Sequence, residues 1–132
     1  MYSEIIIPQA VLDEIKSEPA RTLVLQSNWI KVVPVSQDEE KGLFSAKLHA
    51  GEEEVMLLAK EQNADLVIMV DNPAKKTAKF MGLAVTGSLG VILRAKNEGL
   101  IEEVRPIMMA MIMDGFYIDE NTKQYVLETA GE

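Results

Sequence analysis

Three carboxylates and one run of lysines are the residues here with chemistry to offer. Glu52 lies in "GEEEVMLLAK", Gly51 to Lys60, where three acids precede an apolar helical pattern. On a helical wheel of about 100° per residue, Glu52 falls inside the face formed by Val55, Met56 and Ala59. Glu53 falls on the opposite side, near Lys60, and Glu54 lies at the margin. An inward carboxylate must be protonated, paired or metal-bound. An acid in a first turn also interacts well with the positive end of the helix dipole, so the wheel leaves a helix-start role open beside a ligand role. Asp71 directly follows the apolar run "DLVIMV". Sites in parallel α/β sheets gather just there, but the same position suits an N-cap for the helix entered through Asn72-Pro73. Glu14, one turn beyond Ile7-Pro8, is by itself an ordinary surface acid. Lys75, Lys76 and Lys79 share one helix and either meet phosphates near Asp71 or form a solvated face.

Composition limits what these residues can do. The chain has 132 residues, a net charge of −8, no cysteine and one histidine. That excludes disulfides, thiolate zinc sites and a cysteine nucleophile. Metal chemistry would have to rest on carboxylates, which suit hard cations such as Mg²⁺ or Mn²⁺. An acidic chain has no general attraction for nucleic acid, so such binding must be local. No segment is long and apolar enough to span a bilayer, and no signal pattern opens the chain, so a cytoplasmic location is expected. "TGSLG" is too short for a phosphate-binding loop, and neither a Ser-His-Asp set nor a dinucleotide fingerprint occurs. His49 reads as a surface residue. The methionine-rich "IMMAMIMDGF", Ile107 to Phe116, reads as adaptable core packing.

The elements that must position these groups alternate between short strands and helices. Ile5-Ile6-Ile7 predicts a strand, and Pro8 fits the first turn of a helix with Val11, Leu12 and Ile15 on its apolar face, ending at Glu18-Pro19. Trp29 to Val35 predicts a strand whose Pro34 argues for a sheet edge. A weak helix is expected over Ser36–His49, and a firm one from Gly51 to Gln62. Asp65 to Val70 is continuously apolar, which predicts a strand covered on both faces. Further predictions are a helix from Asn72 to Met81 closed by Gly82, a short strand at Leu83–Val85, a helix capped by Ser88 and ending near Asn97, another over Glu102–Asp114, and a last one from Asp119. The alternation means an α/β fold with a mainly parallel sheet, in a single domain over residues 1–132.

Three segments, "EIIIPQAVLDEI", "AGEEEVMLLAKEQNADLVIMVD" and "AKFMGLAVTGSLGVILRAKNEGLI", together resemble the PIN-like proteins of the DUF3368 group. The resemblance implies a three-layer α/β/α fold and a lineage of toxin-like ribonucleases from toxin–antitoxin modules. In that lineage acids hold one or two Mg²⁺ or Mn²⁺ ions that activate water and stabilise charge on the scissile phosphate. Carried over segment by segment, the acids are Glu14, Glu52 and Asp71. The nearby Lys75, Lys76 and Lys79 become candidates for binding RNA. Family members open with a strand bearing an "S-D-T-S-P" type motif, whereas this chain starts "MYSEIIIP". Either the gene start lies further upstream or the chain is a truncated remnant, and the expectation for this chain is a PIN-like fold truncated at its N-terminus, lacking one metal-binding aspartate, with weak or absent ribonuclease activity.

The alternative of another class is a non-catalytic protein that binds an antitoxin-like partner or itself. A third reading is an unrelated small α/β ligand-binding domain. Loss of a central strand would leave two unpaired edges. The simpler repair would pair the Ile5–Ile7 and Asp65–Val70 strands directly. Uncovered apolar surface would still favour a homodimer or larger homo-oligomer.

Overall fold

Ile5-Ile6-Ile7 forms the strand its β-branched side chains favour, β1 (Ile5–Ile7), and it pairs in parallel with β2 (Ile30–Val32). Pro8, lacking an N–H, caps α1 (Gln9–Glu14). That helix is shorter than expected, because its backbone turns extended at Ile15. A second helix, α2 (Ala20–Gln26), occupies a stretch for which the sequence pattern predicted no element. The computed structural model describes residues 2–35 and 50–132, which divide into two compact units, Tyr2–Thr86 and Gly87–Glu132. The weak helix expected over 36–49, with His49, lies outside the described residues.

In the first unit, α3 (Ala50–Glu61) matches the predicted helix closely. It is followed by β3 (Val67–Ile68), α4 (Asn72–Phe80) and β4 (Val85–Thr86), with β3 and β4 parallel. Gly82 ends the turn after α4 at φ 82°, a left-handed conformation that costs glycine nothing. The fold is α/β with parallel strands, as the alternation required. The described strands, however, form two separate two-stranded ladders, β1–β2 and β3–β4. Direct pairing of β1 with β3 does not occur.

Backbone geometry says which edges have no strand partner among the described residues. The Ile5 N–H bonds the Trp29 carbonyl at 2.9 Å, and the Ile7 carbonyl accepts from Val33 at 3.0 Å. The intervening Ile6 therefore directs its N–H and C=O away from β2. Likewise Val67 and Met69 donate to Ala84 and Thr86 at 2.9 and 2.8 Å, so Ile68 turns its backbone groups away from β4.

The expectation that β3 is covered on both faces is not met. Val67 and Met69 are buried at 4% and 5% exposure, whereas Ile68 and Val70 are exposed at 41% and 53%. One face of the strand meets the core and the other meets solvent. A continuous apolar run cannot distinguish those cases, because it carries no alternation to read.

α3 ties the two ladders together. Met56 and Ala59 pack with Val67, Met69, Ala74 and Ala78. Leu57 and Leu58 pack with Val35, Ile6 and Val33. Four apolar residues in succession thus serve two cores on two flanks of one helix. This is why the segment reads as apolar over so wide an arc.

The second unit holds α5 (Ser88–Asn97), α6 (Arg105–Met113) and α7 (Glu120–Thr129), around a core of Val104, Met108 and Val126. Ser88 is the first helical residue rather than the cap. Gly87 holds the cap position without a side-chain bond. The last helix, expected from Asp119, starts at Glu120 with Asp119 as its cap, accepting from the Thr122 N–H at 2.8 Å, and that bond is the main reason its carboxyl is held below the usual carboxylate range. The methionine helix divides its duties, with Met108 buried and Met113 exposed.

Candidate functional site

The three sequence-selected acids come from three elements of the first unit. Glu14 is the last residue of α1, Glu52 lies in the first turn of α3, and Asp71 caps α4 just beyond β3. All three line one open cavity of about 380 Å³, whose apolar wall includes Val11, Val55, Met69 and Val70. Asp71 stands just beyond the C-terminal end of β3, and Glu14 ends the short helix that follows β1 in the other ladder.

Their settings differ. Asp71 performs the capping role that its position allowed, since its Oδ2 accepts from the Ala74 N–H at 3.1 Å. Its Oδ1 is left for another partner. The Oε2 atom of Glu52 is buried and has no hydrogen-bond partner among the described residues. Burial of an unpaired carboxylate oxygen is costly, so this atom is the site's clearest unsatisfied group. The Glu14 carboxylate lies against Gly51: a Cβ placed there would stand 2.6 Å from Oε1 and 2.9 Å from Oε2.

The acids around Glu52 separate by duty. Glu54 Oε1 accepts from the Ala10 N–H at 3.4 Å, reaching the first turn of α1. The wheel placed Glu54 at the margin of the apolar face, and there it braces one helix against another. Sequence reasoning missed this contact and the close approach at Gly51. A glycine inside the first turn of a helix was the available signal, because glycine is a poor helix former kept where something must come near. Lys75, Lys76 and Lys79 follow Asp71 on α4. Lys76 and Lys79 are exposed and Lys75 is half-buried.

PIN domains generally use divalent metal ions. Here the carboxylates share a cavity without forming a ligand set. Among the described residues, no group of three or more His, Cys, Asp or Glu side chains could hold a metal ion. A small hard ion needs near-ideal oxygen ligation, so the donors as placed do not fit a preformed centre. Asp71 is also partly committed to its helix.

A family model described as DUF3368, PIN domain, matches residues 1–132. No curated protein and no solved structure shows a match to the chain.

Proposed function

The chain belongs to the PIN-domain family DUF3368, and on that premise we propose that it descends from toxin-like, Mg²⁺- or Mn²⁺-dependent ribonucleases of toxin–antitoxin modules and has weak or no hydrolytic activity. The observation that carries this reading is the acidic cavity itself. Glu14, Glu52 and Asp71 line it together, yet they do not close into a ligand set. Glu14, Glu52 and Asp71 are the residues proposed for the catalytic site. Lys75, Lys76 and Lys79 would meet RNA phosphates. The location is proposed to be cytoplasmic. No described helix is long and apolar enough to cross a membrane.

The test is a ribonuclease assay on structured and single-stranded RNA with Mn²⁺ in excess. Cleavage is expected at the detection limit or absent. Robust cleavage that disappears in Glu52→Gln would overturn the reading of a weakened site.

A second reading is supported by a separate observation. Ile68 and Val70 expose apolar side chains beside the edge of β3 that no described strand pairs. Such an edge favours association with another chain, which fits a protein that binds an antitoxin-like partner or a second copy of itself. Sedimentation at tens of micromolar is expected to give a homodimer or larger homo-oligomer, and a stable monomer there would refute self-association.

A further inference from the structure

We propose that Gly51 is a positioning residue: its missing side chain leaves the space in which the Glu14 carboxylate is held at the cavity. The inference rests on reading that cavity as the working site. Four observations lead to it.

Gly51 is buried and lies within α3, where helix propensity alone would favour alanine. Its φ is not in the left-handed region that would require glycine. Conformation therefore does not explain the residue, and close approach does. A Cβ at Gly51 would meet Glu14 Oε1 at 2.6 Å, Cδ at 2.9 Å and Oε2 at 2.9 Å. Real Cβ atoms do not come that near, so the carboxylate would have to leave.

The second partner of the contact is also fixed. Glu54, three residues along the same helix, accepts from the Ala10 N–H and so braces the start of α1. α1 has only six residues, Gln9–Glu14, so its far end follows its start. The brace sets where Glu14 leaves its helix, and Gly51 sets how near its carboxylate comes to α3. The first turn of α3 is also electrostatically favourable for that charge.

The substitution that tests this is Gly51→Ala, read in two backgrounds. The atoms in the way are the far end of a flexible, exposed side chain, so the fold need not break. In the wild-type background the helix gain from alanine is offset by displacement of Glu14. In a Glu14→Ala background only the helix gain remains. Thermal unfolding in chelator is expected to show Gly51→Ala raising the midpoint clearly more in Glu14→Ala than in the wild type. Equal shifts in the two backgrounds would mean that Gly51 and Glu14 do not interact, and would overturn the proposal.

A shorter acid gives a rescue. Glu14→Asp withdraws the carboxylate by one methylene, so the coupling with Gly51→Ala is expected to shrink. Coupling that persists unchanged would also count against the proposal. A Mn²⁺ titration of wild type and Gly51→Ala separates this inference from the functional reading. Coupling together with Mn²⁺ affinity reduced several-fold by Gly51→Ala supports both. Coupling with no Mn²⁺ binding to any variant keeps the positioning role of Gly51 and removes any retained metal-binding role of the cavity.

Discussion

Glu52→Met should make the metal-free protein more stable, and the structure sets the balance. Glu52 Oε2 is buried without a partner among the described residues. Replacing an unsatisfied buried polar group by an apolar one of similar shape recovers about 1–3 kcal/mol. Methionine is close to glutamate in length, has similar helix propensity, and would join Val55 and Met56 on the apolar face. Against this stands the loss of a first-turn acid, worth about 0.3–1 kcal/mol at a helix N-terminus. The burial effect is the larger, so a net gain of about 1 kcal/mol is expected, raising the melting midpoint by roughly 4 °C for a domain near this size. Far-UV circular dichroism in chelator measures it. Glu53→Gln is the control, because Glu53 shares the first turn and, unlike Glu52, has no buried unpaired oxygen. It should lose the dipole contribution and melt slightly lower. If Glu52→Met melts at or below the wild type, the carboxylate has a stabilising partner in solution, and the account of an unsatisfied site fails.

Other consequences are open to measurement. Asp71→Ala removes the bond to the Ala74 N–H and should cost about 1 kcal/mol in urea unfolding, whereas Asp71→Asn, which can still cap, should cost much less. Glu132 accepts from the Val104 N–H at 2.7 Å, the chief reason its carboxyl is lowered to about 2 from 4.5, with Lys96 assisting. A carboxyl depressed in the folded state contributes stability above its unfolded pKa and loses it as pH falls. Acid titration of the wild type should therefore destabilise it between about 4.5 and about 2, and Glu132→Gln should remove that component. Replacing Lys75, Lys76 and Lys79 by serine should weaken any RNA binding and reduce the slope of log affinity on log salt by about 2. Ile68→Lys, placing a charge on the exposed face of β3, should shift sedimentation toward monomer.

Much of this arrangement was legible in the sequence where periodicity and caps agreed. α3 and α4 lie within a residue or two of their predicted spans, because a helical apolar period and an Asn-Pro entry restrict the backbone strongly, and α7 begins within a residue of its predicted start. The gathering of Glu14, Glu52 and Asp71 was legible in part. The strand-end rule made Asp71 a candidate and the wheel turned Glu52 inward, each with a helix-start role left open beside it. Glu14 carried no local signal and was reached only through the family resemblance. α2 was missed because its "ARTLVLQ" has no buried face to impose a period: Leu23 and Leu25 are 60% and 58% exposed. The split into two ladders was illegible for a different reason. Strand pairing is decided between distant segments, and an isolated β run does not record which neighbour it will have. The coverage of β3 failed in the same way, since "DLVIMV" is equally apolar on both faces.

Glu52 and Glu54, two of the three acids near the start of α3, have separate duties, and this has an electrostatic consequence. Glu52 faces the cavity, Glu54 braces α1, and Gly51 beside them admits a third element's carboxylate. Acid is thereby concentrated at one point of a chain whose net charge is already −8. Phosphodiesters approaching that point are repelled within a Debye length of about 10 Å at ordinary salt. The lysines on α4 begin only four residues beyond Asp71, but three exposed or half-buried cations supply no more than a weak, salt-sensitive attraction. Attraction and repulsion thus meet along one helix, α4, with Asp71 at its cap and the lysines along its length. Adding charge-neutralising substitutions at Glu14 and Glu52 should strengthen RNA binding while leaving hydrolysis no better, because what holds a phosphate near the cavity and what would act on it are opposite in sign. Weaker RNA binding in such a double variant would mean that the acids themselves recruit the substrate through a bound cation, and the cavity would then be a more complete site than its geometry suggests.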